Sequence, residues 1–213
     1  MSAAEMEAPS LRERKHLRAR RTILEEATRL FESRGYSNTT LRDIADAAET
    51  SIPTLIRYFG SKDAILLDRD RQIVSQLAER VEAGAYATLS EGLRDAFETS
   101  LLDLAERERL HDIVRADPAC VPLTAAMRRD WEELLEALIL SFSPATPEGR
   151  MRAKSLAYML TASGMAGMEF WHEHDKAPDL RILQQDLIDE FMAAFIAPIE
   201  RAHVARRAAE QGR

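Results

Sequence analysis

Residues Thr39 to Asp63 read TTLRDIADAAETSIPTLIRYFGSKD. Thr40 stands at the head of an apolar-periodic run, with Asp43 three positions on. A hydroxyl that caps a helix start while an acid at the third position reaches back to it is a near capping box, so a helix is expected after Thr40. It buries Leu41, Ile44, Ala45 and Ala48, which recur at helical spacing. A second helix is expected after Ser51, running to about Phe59. Pro53 falls at its second position, where the absent N–H costs no intrahelical bond, and Ser51 is left to cap through the N–H of Thr54. Gly60 ends that helix, and Ser61 caps a long amphipathic segment from Lys62 to about Ala83. Two short helices joined by a tight turn, with a third starting behind them, have the layout of a DNA-binding helix-turn-helix.

Outward from that stretch the chain is helical throughout. Ile23, Ala27, Leu30 and Phe31 make one apolar stripe on a helix expected over Leu11 to Ser33, with Gly35 as its left-handed terminator. Further helices are expected near Glu91–Ile113, Pro122–Phe142, Glu148–His174 and Pro178–His203, separated by clusters of proline, glycine and capping residues. No stretch alternates apolar and polar residues, so the fold class is all-α with about nine helices. The expected organisation is a disordered terminus over residues 1–10, a helix-turn-helix domain over 11–67, a larger helical ligand-binding and dimerisation domain over 68–207, and a disordered terminus over 208–213.

The formal net charge of −7 hides an asymmetry. Ser10 to Arg69 carry 12 Arg/Lys against 9 Asp/Glu, while residues 70–213 carry 17 against 25. A basic module on an acidic body suits a protein that offers one face to phosphates. On the second short helix, Ser51, Ile52, Thr54, Ile56, Arg57 and Tyr58 can face outward. Thr54 can bond a base edge, and Ile52 or Ile56 can pack on a thymine methyl. Tyr58 and Lys62 are placed for phosphates, Lys62 helped by a helix start whose N–H groups favour an anion. Arg57 faces phosphate or solvent. Arg12, Arg14, Lys15, Arg18, Arg20 and Arg21 form a candidate phosphate or minor-groove arm. The plainer reading of the same residues is a set of ordinary helices with a solvated charged face.

Three runs, ILEEATRLFESRGY, TTLRDIADAA and TLIRYFGSKDAIL, resemble the DNA-binding domain of the TetR family of bacterial transcriptional regulators, over about Arg21 to Leu67. The resemblance implies a homodimeric repressor or, less often, activator, whose larger helical domain binds a small molecule and releases a double-stranded DNA operator. Carried over by position, its phosphate or base contacts fall on Thr40, Ser51, Thr54, Tyr58 and Lys62. Three positions depart from the family pattern. Glu49 replaces the usual glycine of the inter-helix turn, so either that turn is not left-handed or it carries about 1 kcal/mol of strain. Ile56 replaces a common tyrosine, and Ile52 a common lysine or arginine.

The family further implies that the last two long helices pair with their symmetry mates, through Leu156, Leu160, Gly164, Gly167, Leu187, Phe191 and Phe195. Such a dimer sets two recognition helices about 34 Å apart and predicts a near-palindromic operator. Candidate lining for an apolar effector pocket is Phe97, Leu101, Leu104, Met127, Trp131, Leu134, Met159 and Met165, each of which, taken alone, suits plain core better. An arginine at its mouth (Arg115, Arg128 or Arg129) would suit an amphipathic effector such as a fatty acid or acyl-thioester. His172 and His174 lie on different helix faces and suit a helix C-terminus better than a metal. Neither a catalytic set nor a cofactor is expected. With one cysteine, no leader-like segment in residues 1–20 and no membrane-spanning run, the expected location is the cytoplasm. The competing readings are a helical enzyme or small-molecule carrier with an incidental basic module, and a regulator without a small-molecule effector.

Overall fold

The computed structural model describes residues 10–102, 104–177 and 179–211, and every regular element among them is helical. The α-helices are α1 (Leu11–Arg34), α2 (Leu41–Ala47), α3 (Ile52–Phe59), α4 (Lys62–Leu66), α5 (Asp68–Glu82), α6 (Leu89–Ser100), α7 (Leu104–Ala116), α8 (Val121–Ser141), α9 (Pro147–Glu173), α10 (Leu180–Phe191) and α11 (Ala197–Gln211). A 3₁₀ turn, Pro118–Cys120, precedes α8, and a π-helical segment, Met192–Ile196, joins α10 to α11.

The eight helical segments placed above become eleven described α-helices, against a total of about nine expected, because three of them are interrupted. The segment from Lys62 breaks at Leu67, which leaves helical geometry (φ −90°, ψ 2°) with its side chain fully buried. The helix expected over Glu91–Ile113 stops after Ser100, where the Leu101 carbonyl accepts a 2.8 Å bond from Arg181 Nη2. Near the C-terminus, Pro198 has no N–H for the Ala194 carbonyl and crowds it. The ladder there widens, and Ala197 N donates to Met192 O, five residues back. α11 continues to Gln211, beyond residue 207 where the helical domain was expected to end.

The chain forms two compact units. One comprises residues through Arg69 with Ala105–Thr124, the other Asp70–Leu104 with the chain from Ala125. In the first, Ile23, Ala27, Leu30 and Phe31 of α1 are buried with Ile44, Ala45, Leu55, Ile65 and Leu67. In the second, one apolar cluster joins Leu77, Leu89, Leu93, Leu138, Ile139, Ala157, Ile196 and their neighbours from α5, α6, α8, α9 and α10 onward. Burial of each such side chain contributes roughly 1.5–3 kcal/mol. At the start of α9 only glycine fits: a Cβ on Gly149 would lie 2.1 Å from the Pro144 carbonyl oxygen. On the surface of the second unit, Asp95 accepts from Arg80 Nη1 (2.6 Å) and from the Tyr86 hydroxyl (2.5 Å), tying α5 to α6. Partial burial opposes ionisation of Asp95, but these donors outweigh it and its carboxyl is held below the usual range. Burial, then the Asp95 bond, pushes the Tyr86 phenol up to about 12.

Segment 105–124 is tied to the N-terminal helices by polar contacts. Asp117 accepts from Ser37 N (2.6 Å) and Ser37 Oγ (2.9 Å), and caps the 3₁₀ turn through Ala119 N (3.0 Å). Arg69 pairs with Glu106 at 3.2 Å. The Ser37 hydroxyl, then its backbone N–H, holds the Asp117 carboxyl below its ordinary value.

Two predictions follow from this packing. Glu49 has φ +47°, so the left-handed turn is real and borne by a residue with a Cβ. Glu49→Gly should therefore raise unfolding stability by about 1 kcal/mol in denaturant titration. Because the Asp117 pKa is depressed in the folded state, its contribution is present above the unfolded value near about 4 and lost as pH falls through the folded one. Asp117→Ala should therefore lower Tm at neutral pH, and the gap to wild type should close in acid.

Candidate nucleic-acid interface

The helix-turn-helix is built from caps that act over three or four residues. Thr40 Oγ accepts from Asp43 N while the Asp43 carboxylate accepts from Thr40 N (2.8 Å), a complete capping box. These bonds, the hydroxyl contact first, lower the Asp43 pKa. α2 ends in a Schellman motif: Thr50 N donates to Ala45 O (2.9 Å) and Glu49 N to Asp46 O (3.3 Å), with Glu49 in the left-handed position. Ser51 Oγ accepts from Thr54 N (3.3 Å) to start α3, with Pro53 in its first turn.

α3 has eight residues and is about 12 Å long. Leu55 is fully buried, which turns the opposite face outward: Ile56 is 49% exposed, and Ser51, Pro53 and Arg57 are exposed. Ile52, Thr54 and Tyr58 are half-buried at its edges, and the Thr54 hydroxyl lies 2.9 Å from Ser51 Oγ. The Tyr58 ring packs against His16 of α1, centroids 4.5 Å apart, and the Arg57 guanidinium lies 5.6 Å from the Tyr58 ring centroid.

The basic residues before Arg21 belong to the first turns of α1 rather than to an extended arm. Arg14, Lys15 and Arg18 are exposed there, whereas the side chain of Arg12 lies outside the described atoms. Arg20 is held inside the unit, paired with Asp68 and 5.2 Å from the Phe59 ring centroid. Lys62 is half-buried. Its Nζ donates to Tyr36 O and Thr39 O, each at 2.9 Å, and lies 4.0 Å from the Tyr36 ring centroid. The Tyr36 hydroxyl donates to Asp63; burial first, then that bond, raises the Tyr36 pKa. Tyr36, Ser37, Asp63 and Asp117 were missed as positioning residues. The Ser37–Asp117 pair spans 80 residues, and no local pattern announces it.

In the second unit the expected lining separates. Leu101 and Leu134 are buried, and Phe97, Leu104, Met127 and Trp131 are half-buried. Trp131 Nε1 donates to Asp70 Oδ1 at 3.0 Å. Met159 (41% exposed) and Met165 (44%) lie on the outer face of α9 and do not line an interior. The expected dimer seam is divided in the same way. Leu156 and Phe191 belong to the chain's own core, with Leu160 packed against it, because that face of α9 meets α8 and α10. Gly167 is buried against Gln184 and Leu187 of α10, while a Cβ on Gly164 would meet nothing within 4 Å. Leu187 and Phe195 are exposed. Arg128 pairs with the buried Glu132 at 2.7 Å. His172 and His174 Nδ1 each lie within 2.9 Å of the carbonyl four residues back, in the last turn of α9. Among the described residues no group of three or more His, Cys, Asp or Glu could hold a metal, and no helix is long and apolar enough to cross a membrane.

Comparison with known proteins agrees with this geometry. Residues 23–68 match the model of bacterial regulatory proteins of the tetR family. The HTH-type transcriptional regulator TcmR of Streptomyces glaucescens is 42% identical over 59 residues, 28% of this chain and 26% of TcmR, so the match spans about a quarter of that relative. The HTH-type transcriptional repressor AcnR of Corynebacterium efficiens is 27% identical over 143 residues, covering 65% of this chain and 71% of AcnR. In fold, the chain is similar to SmeT, the repressor of the Stenotrophomonas maltophilia multidrug efflux pump SmeDEF. The TM-score is 0.60 and the identity 21%, over 83% of this chain and 90% of that one; SmeT is also known as a triclosan complex. Residues 23–68 thus form a helix-turn-helix of the tetR-family type, capped and turned as these residues require, and the all-helical chain shares its fold with SmeT.

Proposed function

We propose that the protein works as a homodimer that represses transcription from a near-palindromic operator and is released by a mainly apolar small molecule. The observation that carries this reading is the outward face of α3, with Ile56 at its centre, beside the exposed Arg14, Lys15 and Arg18 of α1. A helix in the major groove reads bases with its exposed side chains, and flanking cations fix the register on phosphates. Ser51, Thr54 and Tyr58 lie at the edges of that face, and Thr40 at the start of α2 is exposed toward solvent.

The second copy is supported by the apolar side chains that the body leaves in water. Met151, Tyr158, Met159, Met165 and Phe170 of α9 are exposed, as are Ile182, Leu187 and Phe195 beyond it. Met151, Tyr158 and Met165 recur every seven residues, with exposed Ala162 between the last two, and so share one face of α9. Exposed apolar residues gathered on one face mark an interaction surface. An apolar effector suits the aliphatic and aromatic residues around Trp131, and it suits the likeness to a fold known with triclosan. The repressor sense follows AcnR.

Footprinting on genomic fragments, followed by a panel of fatty acids, acyl-thioesters and uncharged hydrophobes, tests the reading as a whole. One protected near-palindrome released by one class of compound is expected; binding of equal strength on every fragment sinks it. Within that assay Ile56→Ala and Thr54→Ala should alter base preference, by about 1–3 kcal/mol at the affected pair. Lys15→Ala and Arg18→Ala should instead weaken all duplexes and lower the salt slope by about 0.9 each. Met165→Glu and Phe195→Glu should sediment as folded monomers and bind the full operator no better than a half-site.

A further inference from the structure

We propose that Lys62 supports DNA binding by holding the turn in front of α2, and not by neutralising a phosphate. The inference rests on the DNA-binding reading above. An ammonium group has three donors. Two of them are directed to Tyr36 O and Thr39 O, the carbonyls on either side of the Ser37–Asn38 corner. The charge also sits on the Tyr36 ring, 4.0 Å from its centroid, a favourable cation–π position. Lys62 is half-buried, in contrast to Arg14, Lys15 and Arg18.

A helix start at Lys62 favours an anion through its free N–H groups and dipole. That helix is α4, five residues long, so the dipole at its start is small. Its leading N–H groups are also engaged: Ala64 N donates to Ser61 Oγ (3.1 Å) and Ile65 N to Ser61 O (3.2 Å). Lys62 is meanwhile balanced within the protein. Asp63 follows it in sequence, and the Asp117 carboxylate, which grips Ser37 N and Oγ, is close enough to feel its charge. The turn is thus gripped on its carbonyl side by Lys62 and on its amide side by Asp117. Thr39 completes it, with Oγ donating to Gly35 O at 2.9 Å. The next residue, Thr40, is the cap of α2, so the position of the turn sets the position of α2 and, through the Schellman turn, of α3.

The test uses the full chain, with Lys62→Ala and Lys62→Met, the second keeping the apolar stem and losing only the donors. Anisotropy titrations on the operator are run across a salt series, with the active fraction fixed by stoichiometric binding and Lys15→Ala as the phosphate reference. Both Lys62 variants should bind about tenfold more weakly at every salt concentration, on lines parallel to wild type. A slope lower by about 0.9, as for a lost phosphate contact, overturns the proposal, and so does an unchanged Kd of the active fraction. In free protein, amide exchange from Thr39 to Thr54 should quicken in both variants while the middle of α1 keeps its protection; unchanged exchange also overturns it. If wild type shows no sequence-specific binding, the repressor reading fails, while the exchange measurement still decides the role of Lys62.

Discussion

α3 can present one face to a groove only if α2 crosses behind it at a fixed angle, and α2 starts where the Gly35–Thr39 turn releases the chain. That turn's inward side chains are the buried Tyr36, packed against Phe31 with ring centroids 5.3 Å apart, and Thr39. Its place is set by directed polar contacts: a lysine on two carbonyls, a carboxylate on an amide and a hydroxyl, and a threonine hydroxyl on the Gly35 carbonyl. Such bonds contribute only about 1 kcal/mol each to net stability, but leaving a buried partner unsatisfied costs more. The turn is therefore better described as positioned than as strongly stabilised. Small changes in its partners matter more for where α2 points than for whether it folds.

The reading face itself has few donors. On the proposed DNA-binding reading, Ile52, Pro53 and Ile56 take positions where polar side chains would bond base edges, and discrimination would rest on apolar contact with thymine methyls, on the Ser51 and Thr54 hydroxyls, and on DNA shape. The Thr54 hydroxyl is already within bonding distance of Ser51. Less of the binding free energy would then come from base hydrogen bonds and more from phosphate contacts to the exposed Arg14, Lys15 and Arg18 of α1. An acidic body, with 25 Asp/Glu against 17 Arg/Lys over residues 70–213, disfavours indiscriminate adsorption of the remaining surface to DNA.

What the sequence disclosed was whatever is decided within four residues. The Thr40, Ser51 and Ser61 caps, the place of Pro53 and the ends of α1, α2 and α3 were legible because each is a bond between near neighbours. Glu49 left two outcomes open, and φ +47° selects the strained one. What escaped depends on distant partners. The sequence neighbours of Lys62 show a helix start, while the carbonyls that accept from its ammonium group are 23 and 26 residues away. The break after Ser100 is sealed by Arg181, 80 residues beyond Leu101. In the body, apolar residues on α9 suited pocket, core and seam alike, because helical periodicity tells which face is apolar and not what covers it.

The C-terminal helices show how one proline redistributes such residues. At 3.6 residues per turn, Phe191, Phe195 and Ile199 would form a single stripe. The π segment forced by Pro198 inserts an extra residue into that turn and rotates the following chain by about 100°. Ile196 then enters the core fully buried beside Ile199, and Phe195 leaves it, 42% exposed, with its ring 5.0 Å from that of Phe191. A regular helix would place Phe195 on the buried stripe between Phe191 and Ile199. Pro198 thereby moves an aromatic side chain from the core to the surface on which the second copy is proposed to pack.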